Sequence, residues 1–289
     1  MPGAPALRLV RSDDPAAFER SAGSFLALRE AENNLPLGLI SGLKAGRTFG
    51  ADPPYFAVVH AGSAVVGAAM RTPPFNLILA AGTAPDALRL LVADALSAMP
   101  DTPGLVGPKE LVARGASIWC DRTGARAEVT MAQRIYRLAH VIPPRDTPGR
   151  ARVASDADRD TVVPWFQAFV AEAMPGHDAS RERAEATADH FLRTRGLWLW
   201  EDGAPVAMAG VSGRTPSGAR VGAVYTPPDR RRRGYASALV AALSQAQLDG
   251  GARFCFLYTD LANPTSNKIY QDIGYEPVCD VDEYRFSTA

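Results

Sequence analysis

The chain has 289 residues, 47% hydrophobic and 21% charged, with 31 basic and 31 acidic side chains that cancel. The length suggests two domains, the apolar fraction excludes a disordered chain, and no apolar run reaches the roughly 18 residues of a membrane span. A neutral balance argues against a dedicated nucleic-acid binder, which carries a basic excess. Met1 to Asp14 lacks a charged head followed by an apolar stretch, so no signal peptide and a cytoplasmic location are expected.

In chain order, the first clear element is a hairpin, Phe56–Val65, turning at Gly62. A Pro-bearing turn, strand-like Asn76–Ala80 and a helix near Asp86–Met99 follow, then helical Lys109–Thr123 and strand-like Tyr136-Arg137-Leu138. Val141 to Arg150 holds three prolines, which block both helix and ladder, and apolar periodicity stops before it and restarts after it. Residues 142–150 are therefore expected to link a domain of residues 1–141 to one of residues 151–289.

The second half reads as a strand at Arg152–Ala154 and helices near Arg159–Met174 and Ser180–Arg195. In the first of these helices Val162, Phe166, Phe169 and Ala173 recur at three- and four-residue spacing. Leu197–Trp200 begins a hairpin that turns at Asp202-Gly203 and returns over Val206–Val211. A strand at Arg220–Thr226 stops at Pro227-Pro228, and a helix runs from about Gly234 to Leu248 until Gly250-Gly251 ends it. Arg253–Asp260 is a strand with Phe254, Phe256 and Tyr258 on one face. Asn263 as N-cap and Pro264 at the first position open a last helix, closed by Gly274. Val278 and Tyr284–Phe286 are again strand-like. The segments Phe56–Val65 and Leu197–Val206 match at a constant offset, and Tyr284-Arg285-Phe286 echoes Tyr136-Arg137-Leu138, so the chain reads as two copies of one α/β unit.

Cys120, Cys255 and Cys279 are odd in number and lack ligand spacing, so neither a disulfide frame nor a metal site is expected; all three are expected to be reduced core thiols. Trp198 and Trp200 are expected in the core.

Chemistry concentrates in Val224 to Ser237: a strand, the arginine-rich loop Arg230–Arg233, then a helix start at Gly234-Tyr235-Ala236 with no Ser, Thr, Asp or Asn to cap it. Its first backbone N–H groups lack a side-chain acceptor, and with the helix dipole and nearby guanidiniums they make a phosphate site. A solvated arginine run followed by a turn glycine is the other reading of the same residues.

The segment resembles the acetyl-CoA-binding motif of the GCN5-related N-acetyltransferase (GNAT) family, Arg/Gln-x-x-Gly-x-Gly/Ala, here Arg231-x-x-Gly234-x-Ala236. After the next strand, Asn263-x-x-Ser266-x-x-Ile269-Tyr270-x-x-x-Gly274-Tyr275 resembles the second motif of that family. The likeness covers residues 151–289 well and the first half only in outline. It implies tandem α/β units, each a mixed, mostly antiparallel sheet with helices on both faces, the first unit degenerate.

The resemblance further implies that backbone amides from Arg231 through Arg232, Arg233, Gly234, Tyr235, Ala236 and Ser237 hold the coenzyme A pyrophosphate. The strand Val224–Tyr225–Thr226 splays from Phe254–Tyr258 to admit the pantetheine arm, and an N–H near Val224 or Tyr225 polarises the thioester. Asn263 contacts the pantetheine amides, Ser266 faces the cofactor, and Tyr270 protonates the departing thiolate. Asp260 stands as a candidate base acting through a water, or as a turn residue. The activity implied is acetyl transfer from acetyl-CoA to a small-molecule or peptide amine by direct attack, with no metal, nucleic acid or membrane involved. A non-catalytic acyl-CoA sensor is the alternative. The tandem plan is also similar to that of mycothiol synthases, which acetylate a cysteinyl amine. The loop Ala81–Asp86 in the first half carries no arginine, and Asp86 is expected to cap the following helix and repel phosphate, so one coenzyme site per chain is expected.

Overall fold

The computed structural model describes residues 5–174 and 176–288. The first half of the chain forms β1 (Leu7–Ser12), α1 (Pro15–Ala27), α2 (Asn34–Lys44), β2 (Tyr55–Ala61), β3 (Ala64–Arg71), β4 (Leu77–Leu79), α3 (Pro85–Ala98), β5 (Gly104–Pro108), α4 (Lys109–Thr123) and β6 (Arg126–Leu138). The second half repeats the order: β7 (Arg150–Val153), α5 (Arg159–Ala173), α6 (Arg181–Arg193), β8 (Leu197–Asp202), β9 (Ala204–Arg214), β10 (Gly218–Tyr225), α7 (Tyr235–Asp249), β11 (Phe254–Asp260), α8 (Pro264–Asp272) and β12 (Glu276–Ser287). The repeat extends to defects. Gly62 and Gly203 turn their hairpins at φ +61° and +71°. The register slips between Val59 and His60 in one copy and between Trp200 and Glu201 in the other, the same place at the sequence offset.

Contacts divide the chain into unit 1, Met1–Ile135 with Val278–Ala289, and unit 2, Tyr136–Pro277. The division differs from the boundary expected at residues 142–150. The prolines do form an irregular connection, but β12, at the end of the chain, pairs antiparallel with β5 of unit 1, Val281 opposite Pro108 through Arg285 opposite Gly104. Tyr136, Leu138 and Val141 instead pack in the core of unit 2. Local sequence cannot announce such pairings, because they are set by partners far away along the chain.

In unit 1, β1, β2, β3 and β4 pair antiparallel in order and β4 pairs parallel with β5. One face is covered by α3 and α4 around Leu88, Leu91, Val112 and Trp119, the other by α1 and α2 around Phe18, Leu26 and Ile40. The N-terminal strand and the first two helices had no reading in the sequence.

Unit 2 has the same plan: β7 to β10 antiparallel, β10 and β11 parallel. Strand side chains alternate between faces, and the sheet sorts its residues accordingly. Val206, Ala207, Ala209, Val221, Cys255 and Leu257 pack under α7 and α8 with Trp200, Tyr235, Tyr270 and Tyr275. Leu197, Leu199, Met208 and Tyr225 pack under α5 and α6 with Val162, Phe166 and Phe191. The apolar stripe Val162, Phe166 and Phe169 thus faces the sheet as its spacing predicts, with the Phe166 ring stacked on Phe191 at 5.4 Å. Trp200 is core and Trp198 is partly buried against it. The three cysteines are free, Cys255 buried but Cys120 and Cys279 only half-buried, which corrects the expectation of three core thiols.

Candidate functional site

The site of unit 2 is built by a strand that loses its partner. β10 and β11 pair only at Gly218–Phe254, Ala219–Cys255 and Arg220–Phe256. Beyond Arg220, Val221–Tyr225 and Leu257–Asp260 have no recorded pairing with each other, and a gap opens between two parallel strands. Within the free segment the register to β9 slips: Gly222 faces Gly210, but Tyr225 faces Met208. The extra residue sits where Ala223 adopts φ +50°, a backbone state that costs a side chain energy and persists only where the surroundings impose it. A bulge of this kind releases a backbone group from the ladder and reverses the alternation. Val221 and Val224 both pack toward the α7 side, while Tyr225 is buried on the α5 side, 6.3 Å from Trp165.

After Tyr225 the chain makes a short 3-10 turn, Pro228–Arg230, and reaches α7 through Arg232 at φ +62° and Gly234 at φ +84°. Gly234 is the N-cap, not the first helical residue, and offers no side-chain acceptor; no acidic residue follows in the first turn. The first recorded intrahelical bond is Ala238 N–H to the Gly234 carbonyl, 3.0 Å. Among the described residues the N–H groups of Arg232 through Ser237 have no recorded acceptor. Alternating left-handed residues ahead of a helix make a concave nest of donors, to which the helix dipole adds. A Cβ at Gly234 would come 2.9 Å from Thr147 Oγ1, so this approach is closed to larger residues. Thr226 Oγ1 is buried at the mouth of the loop without a partner.

The arginines play unequal parts. Arg231 donates from Nε to the Thr226 carbonyl at 2.9 Å and from Nη2 to Glu172 Oε2 at 2.6 Å, with its guanidinium 5.7 Å from the Tyr225 ring centroid. It braces the loop. Arg230 pairs with Asp229 at 3.0 Å. Arg232 and Arg233 are exposed; Arg233 donates to the Asp229 carbonyl at 3.5 Å and its guanidinium also acts on the Tyr235 hydroxyl. The Tyr235 hydroxyl donates to Asp202 Oδ2 at 2.6 Å with the Arg233 guanidinium beside it, and its ring packs in the core of unit 2.

On the other rim, Asn263 caps α8, its Oδ1 accepting the Ser266 N–H at 3.0 Å. Asn267, which the motif leaves unspecified, fastens α8: Nδ2 donates to the Asp260 carbonyl at 2.9 Å, and Oδ1 accepts from the Tyr136 hydroxyl at 3.0 Å. Tyr270 is buried in the cluster that holds Tyr235 and against which Val224 packs, so both motifs meet in one core. Burial pushes its phenol up to about 12, and no hydrogen bond of the hydroxyl is recorded among the described residues. Asp260 Oδ1 accepts the Ala262 N–H at 2.8 Å, a turn contact at the end of β11.

Sequence reasoning passed over Arg220. It lies at the last β10–β11 pair, and its Nε is buried with no hydrogen-bond partner. A lone arginine between Ala219 and Val221 in a strand of small apolar residues was the available signal.

In unit 1 the corresponding loop, Ala80–Ala84, is closed by its own contacts. Asn33 is buried, accepts the Ala81 N–H at 2.8 Å and donates to the Ala81 carbonyl at 3.3 Å. The Ala84 N–H bonds the Val66 carbonyl at 2.8 Å, and Thr83 Oγ1 accepts the Ala68 N–H at 3.3 Å. Ala84 is the N-cap of α3, so Asp86 sits in the first turn rather than at the cap, a correction to the sequence reading. Among the described residues no group of three or more His, Cys, Asp or Glu could hold a metal ion, and no helix is long and apolar enough to cross a membrane.

Residues 159–275 match the sequence model of the Acetyltransferase (GNAT) family. No curated protein matches the chain significantly. Among solved structures, a GCN5-related N-acetyltransferase from Sphaerobacter thermophilus is similar over 96% of this chain and 95% of its own, at TM-score 0.61 and 15% identity. A tandem GNAT protein from the clavulanic acid biosynthesis pathway is similar over 98% of both chains, at TM-score 0.57 and 15% identity. A GNAT-family acetyltransferase from Colwellia psychrerythraea is similar over 98% of this chain and 100% of its own, at TM-score 0.55 and 13% identity. At these identities the likeness is one of fold, and it extends over both halves.

Proposed function

We propose that unit 2, which belongs through residues 159–275 to the GNAT acetyltransferase family, transfers an acetyl group from acetyl-CoA to an amine. The observation that carries the proposal is the row of free N–H groups at Arg232–Ser237 beside the gap between β10 and β11. Backbone donors at a helix start suit a pyrophosphate, and the exposed Arg232 and Arg233 add charge. The gap admits a narrow extended arm such as pantetheine, with Asn263 and Ser266 on its α8 side.

In this reading the bulge at Ala223 turns a backbone N–H near Val224 toward the thioester carbonyl, where it stabilises the oxyanion. The amine nitrogen attacks the carbonyl carbon directly, the carbon–sulfur bond breaks, and Tyr270 gives its proton to the leaving sulfur, while the proton shed by the nitrogen passes to water and water reprotonates the phenolate. A phenol held up to about 12 is fully protonated at neutral pH and therefore able to donate. Cys255 is buried under α7, and burial pushes its thiol up to about 11, which is no setting for a covalent relay. Asp260 is assigned to the turn and not to the amine proton.

One observation favours a non-catalytic acyl-CoA sensor: Asp260 accepts the Ala262 N–H and Glu172 accepts from Arg231, so neither of these two carboxylates stands unbonded. The two readings part in one experiment. Acetyl-CoA is titrated by calorimetry, and free thiol is followed on adding amino acids, polyamines, aminoglycosides or peptide amines. Transfer gives one binding site per chain and thiol release dependent on acceptor. Binding without release on any acceptor means a sensor, and absence of binding overturns the site.

A further inference from the structure

Among the described residues Arg220 has no ion-pair partner. Its Nε is sealed from solvent and unbonded, and its recorded side-chain bond is a marginal 3.5 Å from Nη2 to the Ser212 carbonyl. Burial disfavours its charged form, and among the described residues the ionisable group that acts on it is the Tyr258 hydroxyl. A desolvated charge left unpaired costs folding free energy, and arginine has no accessible neutral form to escape into. Such a group stays in a fold when something outside the chain pairs with it.

Its position says what that is. Val221, Cys255 and Leu257 pack under α7 and α8, so by strand alternation Arg220, Gly222, Phe256 and Tyr258 share the opposite face. Along β9, β10 and β11 that face is half-buried at Ser212, Arg220, Gly222 and Tyr258, so it is not covered over completely by side chains of the described residues. Gly222 keeps the floor low, since a Cβ there would already stand 3.2 Å from Ser212 Oγ. Arg220 also marks the point where β10 and β11 part. With a strand rise of about 3.3 Å per residue, the bulge at Ala223 is roughly 10 Å further on, within the span of one arginine side chain plus one small molecule.

We propose that Arg220 is the anion anchor of the acceptor site, and that the acceptor is a small amine carrying a carboxylate. The inference rests on the acetyl-transfer reading above and names its substrate class. The planar guanidinium grips the acceptor carboxylate, and that contact directs the amine along β10 toward the thioester at the bulge. Acceptors without an anionic group leave the charge unpaired and are rejected.

The test compares free amino acids with their carboxamides, which keep the amine and lose the carboxylate, in the thiol-release assay. The acids are expected to exceed the amides in kcat/KM by about 10²-fold or more, as for a site built around one polar group. In Arg220→Gln the preference should vanish through KM, with acetyl-CoA affinity in calorimetry unchanged, and Arg220→Lys should keep part of it. Equal rates on acid and amide, preference for polyamines, or an unchanged preference in Arg220→Gln would overturn the anchor while leaving acetyl transfer standing. A second measurement does not pass through acetyl-CoA. Millimolar amino acids should raise the Tm of the wild type and not of Arg220→Gln, and Arg220→Met alone should melt no lower than wild type. A clear loss of stability in Arg220→Met, or an absent ligand shift in the wild type, would make Arg220 a structural residue.

Discussion

The two loops that lead from the fourth strand of each repeat into the next helix have the same topology and opposite chemistry. In unit 1 the loop Ala80–Ala84 is short, and Asn33 Oδ1, the Ala80 carbonyl and the Val66 carbonyl accept the N–H groups of Ala81, Thr83 and Ala84. In unit 2 the loop Thr226–Gly234 is longer, and from Arg232 onward its N–H groups have no acceptor among the described residues. The strands differ in the same sense. β10 runs well past its last pairing with β11, whereas β4 ends at Leu79, and a Cβ on Gly107 of β5 would lie only 2.7 Å from the Leu79 carbonyl. Satisfied amides and closed strands stabilise a fold; unsatisfied amides and an open gap are what a ligand can use. The same order of elements thus carries a closed loop in one unit and an open one in the other.

The comparison breaks most sharply at Gly234. Gly234→Glu puts a carboxylate and a bulky stem at a φ of +84° against Thr147, and acetyl-CoA binding should fall below detection in calorimetry while circular dichroism stays native. Retained binding would move the coenzyme elsewhere in the molecule. Tyr270→Phe should lower turnover by about 10²–10⁴-fold with acetyl-CoA affinity nearly intact; near-normal turnover would make Tyr270 a packing residue.

Asn33→Ala sharpens the other side. It strips the buried Ala81 N–H and carbonyl of their partner, so unit 1 should lose roughly 2–3 kcal/mol in denaturant unfolding. Calorimetry should still give one acetyl-CoA site, because the loop remains short and without arginine. A second site would show that Asn33 alone had blocked it.

The smallest effect concerns pH. Arg11 of β1 pairs with Asp94 at 3.5 Å while itself half exposed. Its counterpart at the repeat offset, Arg152 of β7, grips the buried Asp158 with two 2.8 Å bonds and also bonds Glu201. The Arg152 hydrogen bonds, aided by the Ser155 N–H, hold the Asp158 carboxyl down to about 2. A depressed carboxylate stabilises the fold above its unfolded value near 4 and loses that contribution as pH falls toward 2, here about 2 kcal/mol. Acid titration followed by tryptophan fluorescence should therefore show a transition below pH 4 that Asp158→Asn flattens.

Much of unit 2 was legible because its signals are local. Punctuation by Asp202-Gly203, Pro227-Pro228, Gly250-Gly251 and Asn263-Pro264 placed β8 through α8 to within two or three residues. The uncapped start of α7 was visible as an absence of Ser, Thr, Asp and Asn. What escaped was set by distance or direction. Asn33 fills a loop that lies far along the chain. The bulge at Ala223, which decides that Val224 and Tyr225 face opposite sides, leaves no mark in the residues themselves. Arg220 became informative only once strand pairing had fixed its face and its buried Nε stood without a hydrogen-bond partner.

The placement of β12 has a consequence for how the protein is made. Unit 1 begins at the N-terminus, yet β5 receives its antiparallel neighbour only from Glu276–Ser287. On the ribosome the first unit must therefore wait, with that edge of its sheet unprotected, while all of unit 2 is translated. At about 5–20 residues per second the delay is on the order of ten seconds. Protease protection of stalled nascent chains should accordingly appear in unit 2 before unit 1, reversing the usual order in which N-terminal domains mature first.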